Sequence, residues 1–253
     1  MANLSKLSQP LLVFDTSERV ATVSICNADR TLAQIDAESW FVQSSSGEHP
    51  GKSTALVSMI QSLVKTAEIE TAQLGAIGLS NGPGSFTGLR VGVVTARMLC
   101  YAWNLPVIVV NSLEVAAEKL RRERDLQPGT RIWSATNAQR RQIFAAQYEV
   151  QGDGSLKIAT AQSLFEREAI VELLNPNDQV TGSGSLLFGE AIEHKTKVTL
   201  PDPKQACCDA EGVSMLVRRR FEAGDFDELL SIEPVYFRPS AAEEVRLARD
   251  AAK

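Results

Sequence analysis

The chain has 253 residues, 44% of them hydrophobic and 23% charged, and a net charge of −5 at pH 7. That is globular composition, with material for one large domain or two small lobes, each with its own core. The acidic balance argues against a chain that grips nucleic acid unaided, because phosphate neutralisation supplies most of such affinity, so any nucleic-acid role is expected to be indirect. Cys26, Cys100, Cys207 and Cys208 form no C-x-x-C pair. Free thiols in a reducing cytoplasm are expected, with neither a disulfide nor a bound metal. The opening residues lack the apolar core of a signal peptide, and no stretch approaches the roughly 20 apolar residues of a membrane span. A cytoplasmic location away from membranes is expected.

In chain order, Leu11–Phe14 is a short apolar run closed by Asp15, and Ala21, Val23 and Ile25 alternate with Thr22 and Ser24 as in a strand. Thr31–Ala37 reads as a third strand, and Ser-rich residues 43–53 read as a loop. Leu56, Met59, Ile60, Leu63, Val64 and Ala67 then fall on one face of a helix. A strand at 74–80, a glycine-rich turn, a helix at 88–103, a strand at 106–111 and a helix at 112–124 complete a βββαβα series.

The order recurs. Arg131–Asn137, Gln142–Val150 and Leu156–Ala161 read as strands, and Ser163 with Glu166 reads as a capping box opening a helix through Leu174. Val180–Gly182 is a short strand, Ser185–Ile192 a short helix, Val198–Leu200 a further strand candidate, and Asp209 caps a helix running to Ala223. Two such series predict a duplicated ribonuclease-H-like α/β fold, the architecture of actin and the sugar kinases. The turn at Pro128–Gly129 divides an N-terminal lobe, 1–128, from a second lobe, 129–239, with a tail at 240–253.

Between a strand and a helix lies Asn81-Gly82-Pro83-Gly84-Ser85-Phe86-Thr87-Gly88-Leu89-Arg90-Val91-Gly92. Gly82 and Gly84 allow positive φ and close backbone approach, Pro83 stiffens the turn, and Thr87 is placed to cap the helix. The free N–H groups at such a helix start offer an anion a seat. A plain strand-to-helix turn accounts for the same residues equally well.

As a string, GPGSFTGLRVG resembles the signature of the TsaB family (YeaZ-type, glycoprotease-like). The opening LLVFDTS, the run Pro106–Ser112, the stretch Ala138–Tyr148 and Pro234-Val-Tyr-Phe-Arg238 resemble family segments along most of the chain. The resemblance implies Gly82, Pro83, Gly84, Ser85, Phe86, Thr87, Gly88 and Arg90 as the signature loop. It implies a platform subunit that pairs with a catalytic paralogue, the TsaD type, and is joined by a TsaE-type ATPase. Together they transfer a threonylcarbamoyl group to the tRNA adenosine beside the anticodon. It also implies a homodimer when the partner is absent, no cofactor of the chain's own, and a place for ATP or ADP only at the interface with the catalytic partner.

The residues argue independently against catalysis. The catalytic paralogue carries V-N-H-L-E-G-H, whose histidines at helical spacing bind a metal. Here the matching run is Val110-Asn111-Ser112-Leu113-Glu114-Val115-Ala116, with Ser112 and Ala116 at the ligand positions. His49 and His194 are far apart, and an ungapped alignment puts Lys52 where the family tends to place a histidine, so His49 is assigned no role. The loops that would hold phosphates, Asp15–Arg19 and Asn137–Arg141, contain no glycine, and Asn137 replaces an acid able to hold magnesium. Thr181-Gly182-Ser183-Gly184 resembles an adenosine-side loop and is equally well a Gly/Ser turn. A stand-alone kinase or metallopeptidase of the same superfamily is the competing reading.

The resemblance implies a partner interface built from the first two helices, and the expected contact residues are Leu56, Met59, Ile60, Leu63, Gly88, Gly92 and Ala96. Gly88, Gly92 and Ala96, four apart, would let another backbone approach closely; packing on the chain's own sheet is the alternative. Arg218, Arg219 and Arg220 are expected to form a solvated face, with tRNA contact as the lesser reading.

Overall fold

Two sheets organise the computed structural model, which describes residues 9–37, 52–139, 141–202 and 206–235, without the side chains of residues 52–54, 139 and 167. His49, the P-V-Y-x-R run beyond Val235 and the tail at 240–253 lie outside the described residues. In the first sheet, β1 (Leu11–Asp15), β2 (Ala21–Cys26) and β3 (Thr31–Ala37) form an antiparallel meander. β4 (Ala76–Ser80) and β5 (Val107–Val110) join in parallel on the other side of β1, giving the order β3-β2-β1-β4-β5. The second sheet repeats the plan with β6 (Arg131–Gln139), β7 (Gln142–Val150), β8 (Leu156–Glu166) and β9 (Gln179–Thr181) in the order β8-β7-β6-β9. The fold is the predicted pair of ribonuclease-H-like lobes.

Helix α1 (Lys52–Thr66) and helix α2 (Phe86–Trp103) cover one face of the first sheet. Alternation along β1 makes this unavoidable: Leu12 and Phe14 face α1 and α2, while Leu11 and Val13 face the other way and need a separate cover. That cover is α6 (Ala210–Ala223), through Val213, Leu216, Val217 and Phe221. The sequence expectation put this helix in the second lobe; the structure corrects it. Conversely α3 (Ser112–Glu123), counted with the first lobe, places Leu113, Ala117 and Leu120 against Ile132, Ala146 and Tyr148 of the second sheet. The division at residue 128 is therefore a boundary in chain order and not in packing. The opposite face of the second sheet is closed by α4 (Arg167–Leu173) and α5 (Gly189–Thr196), with Ile170 and Ile192 against Trp133, Ala135 and Ile143.

Some local expectations also change. β8 runs on to Glu166, with Ser163 opposite Ala145, so Ser163 is part of a ladder and caps nothing. The ladder with β7 holds the chain as a strand up to Glu166, so the expected helix is present but starts only at Arg167, as α4. Residues Val198–Leu200 form no strand; the Leu200 N–H donates to Glu193 Oε1 instead. Asp209 does cap α6, its carboxylate accepting from the Gly212 N–H at 2.7 Å, and Gly224 ends the helix in the left-handed region at φ 69°.

Candidate functional site

The glycine loop leaves β4 through Asn81 and Gly82, whose φ of 113° suits only glycine. It is tied down on two sides. A Cβ on Gly84 would collide with the Ser17 carbonyl, and the Ser85 N–H donates to that same oxygen at 2.7 Å. From the other side the Ser112 N–H donates to Gly82 O at 3.0 Å and the Ser112 hydroxyl donates to Pro83 O. The cap of α2 is Ser85, whose Oγ accepts from the Gly88 N–H at 3.3 Å; Thr87 already belongs to the first turn. The N–H groups of Ser85 and Gly88 are thus bonded within the chain. The loop joins the turn after β1, the start of α2 and the start of α3. Ser112, at a position where a metal ligand was looked for, closes that junction with its hydroxyl.

The expected interface residues are not presented to a partner. Leu56, Ile60 and Leu63 are buried in the first-sheet core, Met59 is nearly so, and Ala96 is fully buried there. Gly88 and Gly92 are buried too: the Thr16 hydroxyl donates to Gly88 O at 2.9 Å, and any Cβ on Gly92 would meet Thr16 Oγ. Their small size serves an internal approach between α2 and the turn after β1. The same helix carries a different stripe outward: Phe86, Arg90, Val94, Met98 and Tyr101, at helical spacing of four and three. Met98 is 68% exposed and Tyr101 is 84% exposed, and Val57 of α1 lies exposed on the neighbouring helix. Arg90 stacks over the Phe86 ring at 4.0 Å. Burial as such could not be read from the residues, but bulky apolar positions outside the glycine register were a usable signal.

Where the lobes meet, Asp15 is fully buried at the end of β1. Its Oδ1 accepts from the Ser80 hydroxyl and the Ser17 N–H, while Oδ2 has no partner among the described residues. Burial, resisted by the Ser17 and Thr16 hydrogen bonds, pushes its carboxyl up to about 6. Glu18, half-buried one turn on, reaches the second lobe, where the Ser183 hydroxyl donates to its Oε1 at 2.9 Å. Burial foremost, with the charge of Asp15 behind it, pushes Glu18 up to about 7 against the Ser183 and Thr136 hydrogen bonds. Ser183 belongs to the Thr181–Gly184 turn, whose Gly182 and Gly184 lie directly against the Ala135 backbone. Asn137 pairs with Ile143 in the second sheet.

All four cysteines are free thiols, and burial holds Cys207 up at about 11 and raises Cys208 further. Among the described residues no group of three or more His, Cys, Asp or Glu gathers as a metal site. His194 lies exposed on α5. None of the described helices is long and apolar enough to cross a membrane.

The arginine run is not one solvated face, because successive helix positions turn by about 100°. Arg218 is 8% exposed and bonded to Glu211, Asn27 O and Ser214 O. Arg220 is held by Asp225, Asp227 and Val109 O, leaving Arg219 exposed. Sequence reading missed the stretch after α6 altogether. Asp227 donates its N–H to Val107 O and accepts from the Val109 N–H, finishing the edge of β5, and Arg97 of α2 donates to Leu230 O and Ile232 O.

A family model described as TsaD: tRNA N6-adenosine threonylcarbamoyltransferase matches residues 49–245. The chain belongs to this family, on its TsaB/YeaZ side. The tRNA threonylcarbamoyladenosine biosynthesis protein TsaB of Escherichia coli (strain K12) is 23% identical over 235 residues, 92% of this chain and 96% of its own. The protein of that name from Bacillus subtilis (strain 168) is 26% identical over 169 residues, 67% of each chain. YeaZ from Pseudomonas aeruginosa has the same fold, with a TM-score of 0.74, 23% identity, and coverage of 90% of this chain and 100% of that one.

Proposed function

We propose that this chain acts in tRNA threonylcarbamoyladenosine biosynthesis as a non-catalytic platform, pairing with a TsaD-type catalytic subunit that a TsaE-type ATPase joins. The observation that carries the pairing is the outward stripe of Phe86, Val94, Met98 and Tyr101 on a helix whose opposite face is core. Isolated apolar side chains on a surface are ordinary, but a stripe along an 18-residue helix is a contact waiting for a second surface. The non-catalytic part rests on Ser112 and Ala116 in place of metal ligands, and on a first-lobe turn packed by Ser17 where a phosphate would have to enter. With the partner absent, the same stripe pairs two copies of the chain. Nucleotide, ATP or ADP, belongs at the interface with the catalytic partner, and tRNA is met through the partner, in keeping with the net charge of −5.

The test is co-purification of a TsaD-type protein with the wild-type chain and with Met98→Glu/Tyr101→Glu. Truncating residues at the centre of an interface removes about 2 kcal/mol or more, roughly a 30-fold loss of affinity. The expected result is lost pairing with an unchanged melting curve. Pairing at wild-type strength overturns the assignment of this face. Steady-state ATP hydrolysis or tRNA modification by the purified chain alone overturns the non-catalytic assignment.

A further inference from the structure

We propose that the cavity beside the stretch after α6 is a binding site for a zwitterion with an apolar body, an amino acid or short peptide whose ammonium meets Glu114 and whose carboxylate meets Arg219. The cavity has a volume of about 640 Å³ and opens between the start of α3, α6 and residues 227–235. Sites for small molecules run from roughly 300 to 1,000 Å³. It lies outside the carboxyl ends of β4 and β5, at Asn81 and Asn111, which is where open α/β sheets receive ligands. Its floor is apolar, made by the buried side chains of Val110, Leu216 and Ile232.

Most polar groups on the walls already have partners. Arg220 is held by Asp225 and Asp227, Glu228 accepts from the Ser231 hydroxyl at 3.0 Å, Asn81 donates to Glu233 O, and Asn111 donates to Gln162 Oε1. Three charged side chains remain without a hydrogen bond or ion pair among the described residues: Glu114 on the first turn of α3, Arg219 on α6, and Glu233, which is exposed. Glu114 is half-buried, and burial raises its carboxyl above the ordinary value while the charge of Arg219 pulls the other way. The two groups are close enough to feel each other and yet close no bridge. The neighbouring acid on α3, Glu118, is bound to Arg121. Asp153, which also feels Arg219, is exposed.

The charges select the ligand. Glu228 and Glu233 repel phosphate esters and other polyanions, while Arg219 and Arg220 repel a polyamine. A molecule with one charge of each sign satisfies Glu114 and Arg219 together, and hydrogen bonds between ionised groups are the strong kind. Its body lies on Val110, Leu216 and Ile232, so apolar side chains gain over polar ones. An extended chain advances about 3.3–3.6 Å per residue, so two or three residues reach about 7–11 Å, the scale of a space of about 640 Å³.

The experiment is calorimetric titration of the full chain with L-leucyl-L-leucine, its N-acetyl form, its C-terminal amide and free L-leucine. Wild type is expected to bind the dipeptide and to lose on the order of tenfold in affinity when either end is blocked. Glu114→Gln should weaken the dipeptide by the same factor and bind the N-acetyl form as wild type does, because the lost carboxylate has no ammonium to meet. Arg219→Gln should do the same with the amide. A merely structural role for either residue would not produce this crossed pattern. Free leucine binding as well as the dipeptide supports the site as one for amino acids, and leucine binding on the order of tenfold more weakly supports it as one for short peptides. No binding of either zwitterion at ~10 mM overturns the proposal. So does a loss in the variants that is equal for the free and the blocked dipeptides. Both variants are expected to keep the wild-type melting curve; if Glu114→Gln fails to fold, Arg219→Gln, at an exposed position, carries the test with the amide.

Discussion

The two faces of α2 are built from opposite materials. The inner face is Gly88, Leu89, Gly92, Val93, Ala96 and Cys100; the outer face is Phe86, Arg90, Val94, Met98 and Tyr101. The smaller residues are inside, where the helix closes on Thr16 and the first sheet, and bulk is outside, exposed among the described residues. Small residues on a helix mark where another backbone comes close, and that backbone can belong to the same chain. Exposed bulk is the better pointer to a second protein.

Substitutions on the two faces separate these roles. The largest effect is expected beneath the helix pair. Leu63→Ala opens a cavity in the first-sheet core and should lower unfolding free energy by about 2–5 kcal/mol in denaturant titration. A change below 1 kcal/mol there would show that α1 is not part of the folding unit. Next comes Gly92→Leu, whose side chain must displace Thr16 and should destabilise by about 1–3 kcal/mol, seen as a lower melting temperature. An unchanged melting curve would return the glycine face to the list of docking surfaces. The smallest effect on stability is expected at Val94→Ala, within about 0.5 kcal/mol in the isolated chain. Its effect should appear in partner binding, and equal losses in both measurements would erase the contrast between the faces.

Much of the fold was legible because periodicity survives burial. The alternation of Ala21, Val23 and Ile25 and the helical spacing of Leu56, Ile60 and Leu63 identified their elements and their inward faces. The sheet that each helix covers was not legible, since neither α3 nor α6 carries any mark of its destination; that depends on crossovers, which sequence order alone does not specify. At the site, Gly82 and Gly84 were recognisable as backbone-approach positions, and Ser17 proves to be what they approach. Glu18 was passed over because its significance lies in Ser183, 165 residues away in the chain. Arg218 and Arg220 look identical to Arg219 as letters, and only helix rotation distinguishes the two that are tied from the one that is exposed.

The exchange of helices between lobes has a consequence during synthesis. As the chain emerges from the ribosome, the first sheet can form with α1 and α2 on one side, but Leu11, Val13, Ala76 and Ile108 remain wet on the other. Their cover, residues 210–223, is made last among the described helices. Meanwhile α3 emerges before the strands it will pack against. Two halves of apolar surface must therefore wait, each for a piece held by the other end of the chain, and a nascent fragment ending near residue 128 is a ligand for chaperones rather than a finished domain.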